Sequence, residues 1–530
     1  MRQWMVAAKK ADFYAIAEKF HVDPVVARII RNREVIGEKN IRIYLGGNLS
    51  DLSDPHQMKD MDRLGEILAQ KIRKQVHIRI IGDYDVDGVT SSHLFLTALR
   101  RVGAKVDVVI PHRIQDGYGL SLHLLQQAKE DGVDTILTCD NGIAAIDEIA
   151  WAKAQKMTVL VTDHHAVPFE EHEGRRTEKK SLADAVVNPH QQDCRYPYKE
   201  LCGAGVAWNV IRVLYENYDM DKREAEDLLD FVAMATVCDV MSLTGENRIL
   251  VKEGLKRIRH TKNIGLQALM QACNVQPENI SAYHFGYVLG PCVNATGRLD
   301  TARHALRLFE TGQETEAEEI ARDLVDLNQE RKELTLQGVE MAKKLCEEGG
   351  YENDPILVLF LPDVHESIAG LIAGRIREMY NRPVFVLTRG EEGVKGSGRS
   401  TENYSMYENM CGCAELFTKF GGHPMAAGLS LPEENVEKFR RKINENCPLT
   451  VEEVCPDIHI DMAMPVGYAS TELVHQFALL EPFGKDNPSP LFADRNLSIS
   501  RMWVIGKNRN VLRMSVLSEY GQPVPVFFFG

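Results

Sequence analysis

No apolar run in this sequence approaches the roughly 18 residues a membrane-spanning helix needs. The opening MRQWMVAAKKADFYAIAEKF carries charges inside any would-be apolar stretch, so no signal peptide is expected either. Cysteines number 11, but the one close pair, Cys411 and Cys413, lacks the C-x-x-C spacing of zinc sites. Scattered reduced thiols and a cytoplasmic location are expected instead. The chain also lacks a basic excess. Its net charge of −14 argues against a generally nucleic-acid-binding surface, while leaving room for local basic patches. Internal repeats and low-complexity tracts are absent. The hydrophobic fraction of 44% and charged fraction of 26% are ordinary for a globular protein, and 530 residues allow about three or four domains.

In place of these features stand apolar runs that end in acids and histidines. HIRIIGDYDVDG puts Asp83, Asp85 and Asp87 after Ile78–Ile81. DTILTCDNG puts Asp140 after Ile136 and Leu137, and MTVLVTDHH puts Asp163, His164 and His165 after 159–161. Each run is short and rich in Val or Ile, as a strand buried on both faces should be. Helical stretches lie between the runs, which predicts parallel strands with their carboxyl ends along one edge. Open α/β sheets bind ligands at that edge. So many acids would repel one another there, a cost that divalent cations remove.

Residues 1–76 read as an N-terminal helical segment, with DLSDPHQMKD a polar loop before a helix over 61–74. Residues 77–242 alternate strand and helix, with further strands over 105–110 and 185–187. From 243 to 350 the pattern is a helical connector. Ile320, Leu324, Leu327 and Leu334 mark one face of a long helix. No Pro or Gly interrupts 313–337, and about 37 Å of helix would bridge two domains. A second α/β unit occupies 351–446, with PILVLFLP, a helix over 368–380, PVFVL and two glycine-rich turns. In the last segment, 447–530, CPLTVEEVCPD reads as a linker before the short strands DIHIDM, LSISRMWVIG, NVLRMSVL and PVPVFFF, which suggest a small β-barrel.

In an extended segment residues two apart share a face, so Asp83, Asp85 and Asp87 are expected to aim at one site. Gly88 permits a tight turn, and Thr90, Ser91 and Ser92 are expected to start a helix whose N–H groups attract anions. A solvated acidic loop would read the same way on its own; Asp140 and His164 downstream favour a site. Carboxylates with imidazoles suit Mn²⁺, Zn²⁺ or Fe²⁺, and an oxygen-rich mixture also admits Mg²⁺. Two metals need a shared carboxylate, the place expected of Asp140. Two ions about 3.5–4 Å apart form the clamp of phosphoester hydrolysis.

The triplet Asp163, His164, His165 resembles that of the DHH phosphoesterase superfamily, and IGDYDVDGVTSS, TCDNG and TVCDV resemble its other signature segments in the same order. Over nearly its whole length the chain resembles the RecJ single-strand-specific exonucleases, through LSDPHQMKDMDRL, GPCVNATGRLD, KGSGRS, FGGHPMAAG and LLEPFGKDNPSPLF. The resemblance implies Asp85, Asp87, Asp140, His164 and Asp239 as metal ligands, with Asp83 a further one, and His165 as a catalytic group beside Asp140. Asp163 is expected to orient a ligand histidine from behind. Asp239 ends FVAMATVCD, where a lone acid is costly unless paired or metal-bound. Arg113, Ser397 and Arg399 are expected to hold a 5′-terminal phosphate, through an arginine fork and exposed glycine N–H groups. KGSGRS alone would rather read as an ordinary flexible turn. His423 is implied to face the metal site from the second domain, although by itself it reads as a surface-loop residue. Asn294 and Arg298 are either a constriction that admits one strand or a helix-start turn.

The terminal segment resembles an oligonucleotide-binding fold, in which Trp503 with Arg501, Lys507 and Arg509 forms a stacking patch unless that tryptophan is core. Two features depart from the family. Ser367 lies two residues past His365 in DVHES, where glycine is usual, which leaves the place of His365 open. About four terminal strands are counted where such a fold has five, so the barrel is expected to be incomplete.

The expected architecture is therefore α/β: a DHH domain with a parallel sheet and a DHH-associated domain, joined by a long helix and followed by an OB-like barrel. The expected activity is metal-dependent 5′→3′ hydrolysis of single-stranded DNA in repair and recombination. Two divalent cations serve it, Mn²⁺ first and Mg²⁺ as the alternative. The expected partners are single-stranded DNA, a single-strand-binding protein and a helicase, with no membrane, and the expected state is a monomer. Another DHH phosphoesterase, acting on nanoRNA or cyclic dinucleotides, and a non-catalytic replisome scaffold are the rivals.

Overall fold

The structure is a computed structural model that describes residues 4–529 apart from 113–115, 117–118, 173–174, 352, 391–392 and 456. The chain divides into two compact units, one of residues 8–325 and 461–530, the other of 1–7 and 326–460.

In the larger unit the apolar runs pair as one parallel sheet. β1 (Ile78–Ile81), β2 (Val106–Val109), β3 (Thr135–Cys139), β4 (Thr158–Thr162) and β5 (Ala185–Val187) lie in the order β2-β1-β3-β4-β5. The chain moves from β1 outward to β2 and then back past β1 to β3. The ends of β1 and β3 therefore flank a topological switch point, where open α/β sheets bind ligands. The helices α1 (Val86–Arg101), α2 (Gly203–Glu216), α3 (Leu229–Cys238), α4 (Gly245–Ile258) and α5 (Gly290–Leu299) share one core with the sheet, through Leu94, Val206, Phe231, Leu250 and Val293. The helical stretch from 243 stays in that core as far as Leu324, rather than standing apart as a connector.

Residues 461–530 join this unit at its N-terminal helices. Arg33 grips Asp461 with two hydrogen bonds (2.6 and 3.0 Å), and buried Arg248 donates to the carbonyls of Tyr44, Leu479 and Leu480. Strands Ser498–Ile505, Val511–Leu517 and Pro523–Phe529 form an antiparallel three-stranded sheet; among the described residues no further strand closes it into a barrel. Trp503 is 43% exposed, so it is not core, and the guanidinium over its ring is that of Arg513.

In the smaller unit, β6 (Leu357–Phe360), β7 (Val384–Gly390), β8 (Gly393–Arg399), β9 (Lys419–His423) and β10 (Ala426–Leu431) lie in the order β9-β10-β8-β7-β6. Only β6 and β7 are parallel, linked by α7 (Glu366–Tyr380). Of the expected glycine-rich turns, KGSGRS lies on β8 as far as Arg399, and FGGHPMAAG is a hairpin of β9 and β10 that turns only at Pro424 and Met425. A Cβ on Gly396 would lie 2.4 Å from Leu387 Cδ2, and one on Gly398 would lie 2.4 Å from Met406 Sδ. Glycine here answers close packing on a sheet face, not turning.

Helix α6 (Glu314–Glu348) runs 35 residues, about 52 Å at 1.5 Å per residue, and crosses the boundary between the units at Asp326. It passes through Gly338 instead of stopping there. A Cβ at Gly338 would meet Ile372 at 2.3 Å, so the bare backbone lets α7 approach. The expected linker at 447–457 is built into this unit. Val454 is fully buried, and Ile458–Ile460 pairs in parallel with the short strand Trp4–Val6. Among the described residues no helix is long and apolar enough to cross a membrane.

Candidate metal centre

The carboxyl ends of β1, β3 and β4, with the end of α3 and the start of α2, bring the acids together. Asp85 caps α1, its carboxylate accepting the N–H of Gly88 at 3.0 Å, and Asp87 lies in the first helical turn. The three acids are therefore not one extended run, because the helix begins between the second and the third. Gly88 makes no turn. A Cβ there would lie 2.5 Å from the backbone of Asp83, so the helix start rests directly on the preceding loop. Thr90, Ser91 and Ser92 do not start the helix; they are buried within it, and the Thr90 hydroxyl donates to the Val86 carbonyl at 2.7 Å.

Asp140 takes a left-handed backbone (φ 61°), which Asp tolerates better than most residues. Asn141 next to it donates to the carbonyls of Ile81 (3.0 Å) and Cys139 (2.9 Å), tying the ends of β1 and β3. Asp163 organises two loops at once. It accepts the N–H groups of His164 (2.7 Å), His165 (3.1 Å) and Ile143 (2.9 Å), and it lies 2.7 Å from Nδ1 of His165. Burial opposes its charge, but these contacts hold its carboxyl below the usual range. The two oxygens of Asp87 accept the N–H groups of Gly203 (2.6 Å) and Ala204 (2.7 Å), at the positive end of α2. Gly203 has no counterpart among the residues expected from sequence. A Cβ there would lie 2.6 Å from that of Asp140.

Ligand atoms within 4.8 Å of one another form three trios: Asp83, Asp85 and Asp140; Asp87, His164 and Asp239; and Asp140, His164 and His165. Asp140 and His164 each belong to two of them, and of the two only a carboxylate has a second oxygen with which to bridge two ions. Nε2 of His164 is buried, makes no hydrogen bond, and lies 3.0 Å from Asp140, 3.6 Å from Asp239 and 3.7 Å from Asp87. Burial and then the neighbouring negative charges push Asp140 and Asp239 well above the ordinary carboxylate range, and Asp85 upward as well. Burial pushes His164 down, toward the neutral form that binds metals. At His165 burial opposes the charge, but Asp163 and then Asp239 and Asp87 outweigh it and raise the ring to about 9. Oxygen-rich trios, a neutral imidazole and acids that resist ionisation together fit divalent cations.

The remaining predicted residues divide. Arg113 lies outside the described residues. The NATGR segment closes helix α5 rather than starting one. Asn294 accepts the N–H of Val86 at 3.2 Å and so braces the acid-bearing turn, while a Cβ on Gly297 would lie 2.5 Å from the Tyr84 carbonyl. Arg298 sits half-buried in the last turn of that helix.

In the smaller unit, Arg399 on β8 and His423 on β9 both stand opposite Ala426, and Ser397 stands opposite Gly428, so all three share one sheet face. Ser397 and Arg399 are half-buried against Gly370 of α7, and His423 is exposed. His365 caps α7, and the Ser367 hydroxyl lies 2.7 Å from its Nδ1, so the serine serves the cap.

Three family models match the chain: "DHH family, N-terminal domain" over residues 77–236, "DHHA1 domain" over 353–447, and "RecJ OB domain" over 460–530. The sequence is 33% identical to the single-stranded-DNA-specific exonuclease RecJ of Bacillus subtilis, over 96% of this chain and 63% of that protein's length. It is also 33% identical to the same-named protein of Haemophilus influenzae, over 94% of this chain and 88% of that one. The crystal structure of RecJ in complex with Mn²⁺ from Thermus thermophilus matches with a TM-score of 0.83 at 27% identity, over 99% of this chain and 74% of that one.

Proposed function

The chain belongs to the RecJ family of single-stranded-DNA-specific exonucleases, and on that premise we propose that it is a metal-dependent exonuclease that shortens single-stranded DNA from the 5′ end in repair and recombination. The observation that carries this reading is the sharing of Asp140 between two ligand trios at the sheet's switch point. Asp83, Asp85, Asp87, Asp140, His164 and Asp239 would hold two divalent cations, Mn²⁺ first and Mg²⁺ as the alternative. When bound, such cations supply Lewis acidity at the scissile phosphate. Asp163 fixes the ring of His165 and favours its protonated form, so that His165 would offer a proton to a phosphate oxygen. Ser397 and Arg399 of the smaller unit take the terminal phosphate; a planar guanidinium suits its oxygens. Asn294 holds the acid-bearing turn, and Arg298 beside it contacts the single strand. A single-strand-binding protein and a helicase are the partners this reading expects, for a monomer working in the cytoplasm.

The test is incubation of 5′-phosphorylated single-stranded DNA with the protein and Mn²⁺, beside duplex DNA, RNA and a cyclic dinucleotide. Stepwise loss of mononucleotides from the single strand alone is expected. Preferential hydrolysis of the cyclic dinucleotide, or no hydrolysis of any of them, would overturn the reading.

A further inference from the structure

The larger unit holds a groove of about 840 Å³ that begins on either side of Asp239, at Cys238 and Val240. One wall is α4, which contributes Lys252 and Lys256, followed by Arg259; another is the segment around Lys485. Glu481 is the one carboxylate among the described lining residues, against four cations, of which Lys256 also pairs with Glu253 (2.6 Å) and Lys252 donates to the Leu45 carbonyl (3.0 Å).

On the rim stand Tyr283 and Tyr287, 62% and 71% exposed, with ring centroids 5.1 Å apart and planes 27° from parallel. They flank the start of a π-helical turn, Phe285–Leu289, that leads directly into α5. Side chains four apart lie on one helix face, and single π-helical turns are frequent at functional sites. Two large rings held stacked in solvent gain little for the fold. They do offer a flat apolar surface beside a row of cations, the combination by which proteins bind single strands without reading sequence.

We propose that this groove is the track for nucleotides 3′ of the scissile phosphate, with Tyr283 and Tyr287 stacking on bases and Lys252, Lys256, Arg259 and Lys485 following the backbone. This rests on the exonuclease reading and adds a positioning site to it. The groove begins at the two neighbours of Asp239 in the chain, and it would hold the strand by faces that every base possesses.

The test is fluorescence anisotropy of a labelled oligothymidylate of about twelve nucleotides in EDTA, where hydrolysis is stopped and binding alone is read. The double variant Y283A/Y287A should bind at least about tenfold more weakly at an unchanged melting temperature, and Y283F/Y287F should bind as the unaltered protein does. Replacing both Lys256 and Arg259 by Ala should lower the slope of log affinity against log salt by about 1.4, the value for two lost single-strand phosphate contacts. Unchanged affinity in the alanine pair would overturn the proposal, as it would if the groove took a peptide instead. Equal losses in the phenylalanine and alanine pairs would also overturn it. Failure of the exonuclease reading would show separately, as the absence of hydrolysis by the unaltered protein with Mn²⁺.

Discussion

The sheet of the larger unit carries its chemistry at strand ends, and the sheet of the smaller unit carries its own on a strand face. In the parallel sheet all carboxyl ends meet one edge, so short loops from β1, β3 and β4 crowd their acids into a buried cluster. In the mixed sheet the antiparallel strands β8, β10 and β9 spread Ser397, Arg399 and His423 over a floor of Gly428, Ala426 and Gly421. Burial makes the first set unstable without a counter-charge. The second set is only half-buried at Ser397 and Arg399 and exposed at His423, and gathers no cluster of like charges, so its fold depends far less on a ligand.

The comparison breaks most sharply at Asp140. D140N should slow hydrolysis of 5′-labelled single-stranded DNA by more than about 100-fold with Mn²⁺, because it alters the shared ligand. In EDTA the same variant should melt higher than the unaltered protein, since one buried negative charge is gone and Asn also tolerates φ 61°. Near-normal hydrolysis, or a lower melting point in EDTA, would show that the cluster is not strained by its own charge.

Asp230 provides a control inside the same unit, as a lone buried acid. Burial raises it to about 6, although Thr261 (2.7 Å) and the N–H of Phe231 (2.9 Å) donate to it. A carboxyl raised on folding favours the native state only while protonated, so this contribution is present below about pH 4 and is lost as pH rises through 6. D230N should therefore match the unaltered protein at pH 4 and exceed it by about 3 kcal/mol at pH 7 in urea titrations with EDTA. A parallel pH dependence in both proteins would remove Asp230 as the cause.

On the open face the expected effects lie in binding rather than folding. R399A should reduce the preference for 5′-phosphorylated over 5′-hydroxyl ends by about 10- to 150-fold, the loss of one charge-assisted contact. Its stability should change by less than about 1 kcal/mol. Equal loss on both ends would move the phosphate site elsewhere.

A pair of glycines tests the packing itself. G203A drives a methyl to within 2.6 Å of Asp140, and should cost about 1–3 kcal/mol and weaken Mn²⁺ binding in calorimetry. G421A, with nothing within 4 Å of its new Cβ, should stay within about 0.5 kcal/mol. Similar costs at both positions would erase the distinction between a packed edge and an open face.

The buried edge is legible in the sequence because apolar strands that repeatedly end in acids make physical sense chiefly where a cation gathers those acids. Asp87 reaches the expected site for a different local reason, since D-x-D spacing imitates the period of a strand while the helix begins between its acids. The open face is harder to read. Glycines at 396 and 398 look like a loop unless the side chains they pack against, Leu387, Phe385 and Met406, are known, and those come from other elements. Gly203 carries no mark in its own neighbourhood, because the residue that requires it is Asp140. The strand Trp4–Val6 is hidden for the same reason, its partner lying about 450 residues away.

That last pairing bears on how the chain is made. The polypeptide passes between the two units after residues 7, 325 and 460, so neither unit is a continuous stretch. Trp4–Val6 leaves the ribosome on the order of a minute before Ile458–Ile460 at ordinary elongation rates of about 5–20 residues per second. The segment with Arg33 and Tyr44 likewise waits for Asp461 and Asn487. Both units thus close only after residues 458–487 have been made, and a nascent chain already holding every acid of the cluster still lacks the contacts that finish the fold around it.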